Sequence, residues 1–114
     1  GLMVQAALEA AESLAAKGVS AEVIDMHTVK PLDEELLVAS AKKTGRVVTC
    51  EEHSVIGGLG SAVCDALSEK CPVPVRKVGV NDVFGESGPA VDLLAKYGLD
   101  AAGVERQVLD FLGK

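Results

Sequence analysis

The sequence is poor in the residues that build binding surfaces for nucleic acids. Aromatic side chains make up 3% of its 114 residues, and tryptophan is absent. Basic residues never run longer than a pair, as at Lys42 and Lys43, and the formal net charge at pH 7 is -6. Nucleic-acid binding relies on cationic patches that release phosphate counterions and often on aromatic stacking. The composition therefore argues against nucleic acids as partners.

The sequence also lacks the long apolar runs that membranes require. No apolar stretch approaches the ~20 residues of a transmembrane helix, and the first residues show no basic stretch followed by an apolar core, so we expect neither a membrane span nor a signal peptide. The three cysteines, Cys50, Cys64 and Cys71, are odd in number and form no CxxC motif. A reduced, cytoplasmic setting is the simplest interpretation, with Cys50 a small buried hydrophobic residue rather than a reactive thiol.

What the sequence has in abundance is aliphatic residues with regular spacing. Hydrophobic residues make up 48% of the chain, and the length is that of one ordinary domain. Gly18 and Gly45 stand at predicted helix ends, and Asp33 and Asp100 stand at predicted helix starts. The spacing predicts helices over 1–17, 34–43, 59–68, 90–96 and 101–112, and strands over 21–26, 46–51 and 72–80.

Strands that alternate with helices predict a parallel sheet with crossover helices on both faces, an α/β fold in the form of a three-layer α/β/α sandwich. A doubly wound domain ordinarily opens with a strand, whereas this chain opens on a helix. We therefore expect residues 1–114 to be a single domain and a fragment that lacks its first strand, with Gly1 as the glycine that ended the strand.

The segment EEHSVIGGLG, residues 51–60, has the strongest local signal because it joins a predicted strand to a predicted helix. Ligands gather at the carboxyl ends of strands in open α/β sheets, and helix N-termini attract anions. As a dinucleotide fingerprint the segment fails, because Gly58 and Gly60 fit the first two positions of GxGxxG but Val63 occupies the third. The two glutamates before it would also repel a pyrophosphate.

Two further interpretations of this segment remain open beside a structural one. Glu52 and His53 have the chemistry of a general acid-base pair, and His27 follows the preceding predicted strand, so a hydrolase using both histidines is one alternative. A small-molecule-binding or regulatory domain that uses the glycine-rich loop is another. The structural interpretation has the glutamates solvated or ion-paired and the glycines forming a tight turn or an interface.

Four segments follow one another along the chain: VIDMHTVKPLDEELL, VVTCEEHSVIGGLGSAV, VGVNDVFGESG and KYGL. Together they resemble the carboxy-terminal domain of transketolases, above all the bacterial and archaeal kind that is split into two chains. The same domain type ends 1-deoxyxylulose-5-phosphate synthase and the β-subunits of 2-oxoacid dehydrogenases. The FGESG segment followed by YGL looks more like transketolase.

The resemblance implies a mixed, mostly parallel sheet sandwiched by helices, whose first strand precedes the region present here. It implies a parent enzyme of the pentose phosphate pathway that transfers a two-carbon ketol unit between sugar phosphates with thiamine diphosphate and a divalent metal (Mg or Ca). The family's cofactor motifs belong to other domains and do not occur in this chain. No catalytic, cofactor-binding or metal residue is therefore expected here, and the isolated domain is expected to be inactive.

The resemblance assigns this domain a part in assembly. Its expected partners are the remaining transketolase domains or an N-terminal subunit, together with a second copy in a homodimer. The residues that match the family pattern and are expected at an interface or cleft edge are Glu52, His53, Gly57, Gly58 and Gly60.

Overall fold

The computed structural model describes residues 2–26, 32–54, 58–80 and 98–114. The predicted helix over 90–96 and His27 lie outside these ranges. None of the helices in the described ranges is both long and apolar enough to reach across a bilayer. The elements follow one another as α1 (Leu2–Ala16), α2 (Glu34–Thr44), β1 (Val47–Ser54), α3 (Leu59–Lys70), β2 (Val75–Val80) and α4 (Ala101–Phe111).

The helix ends follow the capping chemistry that the sequence predicts. The Asp33 carboxylate accepts a hydrogen bond from the backbone N–H of Leu36 at 3.2 Å, and Asp100 accepts one from Gly103 at 2.9 Å. Both contacts satisfy N–H groups that have no partner inside the helix. Gly45 ends α2 with a φ of 79°, a conformation that glycine adopts without steric cost.

The strands β1 and β2 pair in parallel, with Val47 opposite Val75, and α3 connects them as a crossover helix. Strand β2 begins later than predicted because Pro72 and Pro74 have no backbone N–H to contribute to a ladder. The Pro74 carbonyl still accepts a hydrogen bond from the Val47 N–H at 3.1 Å. The observed pairing thus confirms the predicted parallel arrangement of these two strands.

Helices cover both faces of this sheet, and each face has its own apolar cluster. Val47 packs with α2 and α3, whereas Val48, the next residue, packs with α1 and α4. The alternation follows from the strand itself, whose successive side chains point to opposite faces. The result confirms the predicted α/β/α layering. Buried members of the two clusters are Met3, Ala10, Val78, Leu99 and Val104 on one face and Leu37, Ala41, Val63, Ala66 and Leu67 on the other.

The C-terminal end of α1 contacts the first half of α4. The Ser13 hydroxyl donates to a Glu105 carboxylate oxygen at 2.8 Å, and Lys17 forms an ion pair with the same carboxylate. At the start of α4, a Cβ added to Gly103 would lie 2.1 Å from the backbone oxygen of Gly98. Only glycine fits this approach, which places Leu99 in the core at 1% exposure.

The segment 21–26 departs from the prediction, since it is not part of the sheet in the described chain. It lies across a cavity of about 440 Å³ from β1, and residues of both segments line that cavity. The alternating sequence AEVIDM has the pattern of a strand, but a ladder also needs a neighbouring strand about 4.8 Å away. Within the described ranges, no strand lies beside 21–26 to supply that ladder.

Candidate functional site

The described residues include part of the predicted interface. Gly58 precedes α3 as its N-cap, and Gly60 is the second residue of that helix. Glu52 and His53 are backbone positions within β1. Gly57 lies outside the described residues. The acid-base pair of Glu52 and His53 and the hydrolase that uses His27 and His53 therefore stay predictions.

Glu51 has a role at this site that the sequence analysis missed. Its side chain is buried at 8% exposure, and its two oxygens accept hydrogen bonds from the backbone N–H groups of Leu59 at 3.0 Å and Gly60 at 2.9 Å. These N–H groups belong to the helix end that carries partial positive charge. A carboxylate held there forms charge-assisted hydrogen bonds, which are stronger than neutral ones.

The expectation that both glutamates are solvated or ion-paired is therefore wrong for Glu51. Gly58 has no side chain with which to cap α3, so the cap comes from the preceding strand instead. A signal was available in the sequence: an acidic residue closes a predicted strand shortly before a helix whose cap position is glycine. In the common capping motifs the accepting side chain belongs to the N-cap residue itself. Here the N-cap is Gly58, and the accepting side chain belongs to Glu51 on the preceding strand.

Gly60 allows α3 to approach the sheet closely. A Cβ at this position would lie 2.8 Å from Cγ of Lys77 and 2.9 Å from Oγ1 of Thr49. Thr49 and Lys77 are register partners on β1 and β2, so the helix start rests over both strands. The glycine thus serves helix-to-sheet packing, and no close approach of a ligand is needed to explain it.

The arrangement at α3 is unsuited to an anionic ligand. A phosphate bound at the helix N-terminus would need the same N–H groups that Glu51 occupies, and it would meet the negative charge of that carboxylate. Among the residues that the structure describes, no group of three or more His, Cys, Asp or Glu side chains is placed to hold a metal ion. The chemistry available here is structural: a closed helix end beside the carboxyl end of β1.

Cys50 lies beside Glu51 and is partly buried against the α1 and α4 face. Burial raises the pKa of its thiol to about 11, and the negative charge of Glu51 adds to this effect. Since the thiolate is the nucleophilic form, the protonated thiol is unreactive at neutral pH. The prediction that Cys50 acts as a small hydrophobic residue agrees with this environment.

The chain matches a known protein family and several proteins that carry the same domain. The family model described as "Transketolase, C-terminal domain" matches residues 1–104. A 6-deoxy-6-sulfo-D-fructose transketolase subunit of a Clostridium species is 58% identical over 106 residues, which are 93% of this chain and 33% of the relative. A subunit of the apulose-4-phosphate transketolase of Phocaeicola vulgatus is 43% identical over 114 residues, which are 100% of this chain and 36% of the relative.

Other similarities extend to a second type of enzyme and to a solved structure. A 1-deoxy-D-xylulose-5-phosphate synthase of Geobacter sulfurreducens is 44% identical over 114 residues, covering 98% of this chain and 18% of that protein. A chain of a split-gene transketolase, described as an inactive β4 tetramer, superposes with a TM-score of 0.90 at 61% identity, covering 96% of this chain and 36% of that one. The chain spans about a third of the length of the transketolase subunits that it matches.

Proposed function

Because this chain belongs to the transketolase C-terminal domain family, we propose that it is the assembly domain of a transketolase that depends on thiamine diphosphate. The parent enzyme transfers a two-carbon ketol unit between sugar phosphates. This domain supplies a rigid surface for the domains or the subunit that hold the cofactor. The observation that carries the proposal is the Glu51 cap on α3, which fixes the start of that helix against the end of β1.

A split organisation of the parent enzyme has the best support. Both transketolase relatives are described as subunits, and the structural neighbour is a split-gene transketolase. Each is about three times as long as this chain, according to the covered fractions of 33% and 36%. We infer that the complete polypeptide works with a separate N-terminal subunit.

Thiamine diphosphate and the divalent metal belong to the parent enzyme and not to this domain. A helix N-terminus that is open to solvent would offer a diphosphate its N–H groups. Here the carboxylate of Glu51 takes the N–H groups of Leu59 and Gly60. The start of α3 therefore does not fit a diphosphate, and we assign no cofactor contact and no catalytic step to it.

The interface role rests on where the family-matching residues lie. Glu52 and His53 follow Glu51 on β1, and Gly58 and Gly60 start the helix that Glu51 caps. The carboxyl end of a parallel strand is where functional contacts gather in α/β sheets. We infer that this edge contacts the neighbouring domain or a second copy in a homodimer. Gly57, which lies outside the described residues, belongs to the predicted contact from its sequence alone. A cytoplasmic location and a place in the pentose phosphate pathway complete the proposal.

Reconstitution tests the proposed function. The 114-residue chain alone is expected to give no ketol transfer and no heat of binding with thiamine diphosphate and magnesium. The complete gene product combined with its N-terminal subunit is expected to give turnover. Ketol transfer by the 114-residue chain alone would contradict the proposal, as would an inactive complete assembly that is fully folded.

A paired substitution tests the interface separately. In the complete assembly, His53→Ala is expected to weaken association by roughly tenfold or more in Kd, a loss of about 1.4 kcal/mol. Lys42→Ala, at an exposed position near the end of α2, is the control and should leave Kd unchanged. Equal Kd values for both variants, measured by analytical ultracentrifugation, would remove His53 from the interface.

A further inference from the structure

Two arginines meet at the end of α4. The guanidinium carbons of Arg46 and Arg76 lie 5.8 Å and 5.2 Å from the centre of the Phe111 ring, within the range of cation–π attraction. Arg46 directly precedes β1, Arg76 is the second residue of β2, and Phe111 is the last residue of α4. One ring thus holds a positive charge from each strand of the sheet. We call Arg46, Arg76 and Phe111 the arginine cluster.

The sheet itself brings the two arginines to one face. Arg76 is the register partner of Val48, which packs with α1 and α4. Arg46 stands two residues before Val48, and side chains two residues apart along a strand share a face. Because β1 and β2 are parallel, both arginines lie where the strands begin. The carboxyl end of β1, where Glu51 caps α3, is at the opposite end of the sheet.

The hydrogen bonds of the arginine cluster use few of its donors. Nη1 of Arg76 donates to Oε1 of Gln107 at 2.8 Å and to Oδ2 of Asp110 at 3.1 Å. Nη1 of Arg46 donates to the backbone oxygen of Phe111 at 3.2 Å. A guanidinium carries five N–H donors. Within the residues that the structure describes, most donors of both guanidiniums therefore have no acceptor.

The positive charge of the arginine cluster is only partly neutralised. In the described part of the chain, Asp110 is the one carboxylate that pairs with either arginine, at 3.1 Å from Nη1 of Arg76. Its side chain is 73% exposed, and exposed ion pairs contribute little. Arg46, which is exposed, donates to the neutral carbonyl of Phe111. Two like charges at one ring repel each other, so the cluster keeps an excess of positive charge.

We propose that the arginine cluster binds a tetrahedral oxyanion of the phosphate class, either free phosphate or the phosphate group of a small metabolite. The planar fork of an arginine matches the oxygens of a phosphate. A phosphate monoester carries about -1.5 to -2 charges at pH 7, enough to offset both guanidiniums. A planar carboxylate such as Asp110 presents two oxygens, whereas a phosphate presents at least three and can accept from both arginines.

Phe111 holds the guanidiniums in place before an anion binds. The cation–π contacts restrict both arginine side chains without using a hydrogen-bond acceptor. The bonds from Arg76 to Gln107 and Asp110 add to this restraint. Restricting a flexible side chain beforehand lowers the entropy that binding costs. The arginine cluster is thus partly preorganised for an anion, and its binding does not depend on ketol transfer.

A purely structural role would be to clamp α4 onto the sheet. The bond from Arg46 to the Phe111 carbonyl does serve the end of α4, whose last carbonyls lack partners inside the helix. One basic side chain is enough for that purpose, whereas a second guanidinium at the same ring adds repulsion. A bound oxyanion would relieve this repulsion. The two roles therefore differ in whether phosphate binds.

Phosphate titration of the complete polypeptide tests the proposal. Inorganic phosphate is the probe, at constant ionic strength, and the phosphorus NMR line width of the anion reports its binding. Arg46→Gln is expected to raise the Kd of phosphate by roughly tenfold or more, because it removes both a charge and a fork. Arg46→Lys keeps the charge but lacks the fork, so Kd should rise by a smaller factor. Lys42→Gln, at an exposed position near the end of α2, is the matched control and should leave Kd unchanged.

A sugar monophosphate in place of inorganic phosphate identifies the source of the anion. A lower Kd that Arg46→Gln abolishes would assign the arginine cluster to a metabolite, and an equal Kd would assign it to free phosphate. Circular dichroism checks the fold of each variant, and Arg46→Lys, the milder change, carries the test if Arg46→Gln does not fold. Equal phosphate Kd values for the native sequence and the Arg46 variants would overturn the proposal. So would an absence of phosphate binding by the native sequence, which would leave the cluster as a clamp on α4.

Discussion

The carboxylate of Glu51 lies against the backbone of Gly60, with 2.9 Å between Oε2 and the amide nitrogen. The two residues are brought together because β1 leads into α3 through the glycine-rich segment. The charge of the carboxylate and the partial charge of the helix end attract each other in a buried setting. This contact ties the crossover helix to the strand that precedes it.

Removing the carboxylate is expected to destabilise the domain. Glu51→Ala leaves the N–H groups of Leu59 and Gly60 without their acceptor, so the free energy of unfolding should fall by about 1–3 kcal/mol. Urea denaturation followed by circular dichroism measures the change. Glu69→Ala, at an exposed position near the end of α3, is the matched control and should change stability by less than about 0.5 kcal/mol. Equal losses for both variants would show that the Glu51 cap contributes no more to the free energy of unfolding than an exposed side chain does.

A methyl group at position 60 is expected to crowd the start of α3. Gly60→Ala places Cβ 2.8 Å from Cγ of Lys77 and 2.9 Å from Oγ1 of Thr49. Overpacking of this kind costs about 1–3 kcal/mol, partly offset by the better helix propensity of alanine. Thermal unfolding should therefore show a lower Tm, and Lys77→Ala should restore part of it in the double variant. A higher Tm for Gly60→Ala alone would contradict the close packing of α3.

Gly103→Ala is expected to be more disruptive because the obstacle is backbone. The new Cβ would lie 2.1 Å from the Gly98 oxygen, so the entry into α4 has to move. Gly18→Ala is the comparison: no atom lies within 4 Å of its Cβ, but its φ of +82° disfavours alanine, at a cost of about 1 kcal/mol. Denaturant titration should show the larger loss for Gly103→Ala. A loss no larger than that of Gly18→Ala would be evidence against the tight contact.

The free energy of unfolding is expected to fall at alkaline pH because of the Cys50 thiol. The folded pKa of this thiol is about 11 against an ordinary value of 9.0, so the folded state keeps a proton that the unfolded state releases. The stability contribution is present below about pH 9 and is lost as the pH rises toward about 11. Urea titrations at several pH values should therefore show a steeper decline for the native sequence than for Cys50→Ala. Cys64→Ala, the matched control, should keep the steeper decline, and identical slopes for all three proteins would refute the assignment.

Much of the architecture is a local property of the sequence. Asp33 caps α2 and Gly45 ends it, as predicted, because capping depends on residues within one helical turn. The alternation of helices with strands also predicts the parallel pairing of β1 with β2. These features follow from short-range backbone preferences and hydrophobic periodicity, which the sequence shows directly.

The tertiary structure alone decided the roles of Glu51 and of residues 21–26. Glu51 looked like a solvated charge, yet the path of the chain from β1 to α3 brings its carboxylate to a helix end that a glycine leaves uncapped. The 21–26 segment has the pattern of a strand, but its pairing depends on a neighbour that the pattern does not specify. The sequence by itself determined the type of fold, the family resemblance and the approximate limits of the described helices. Contacts between different helices and strands depend on how the layers pack. Only the folded chain shows these contacts.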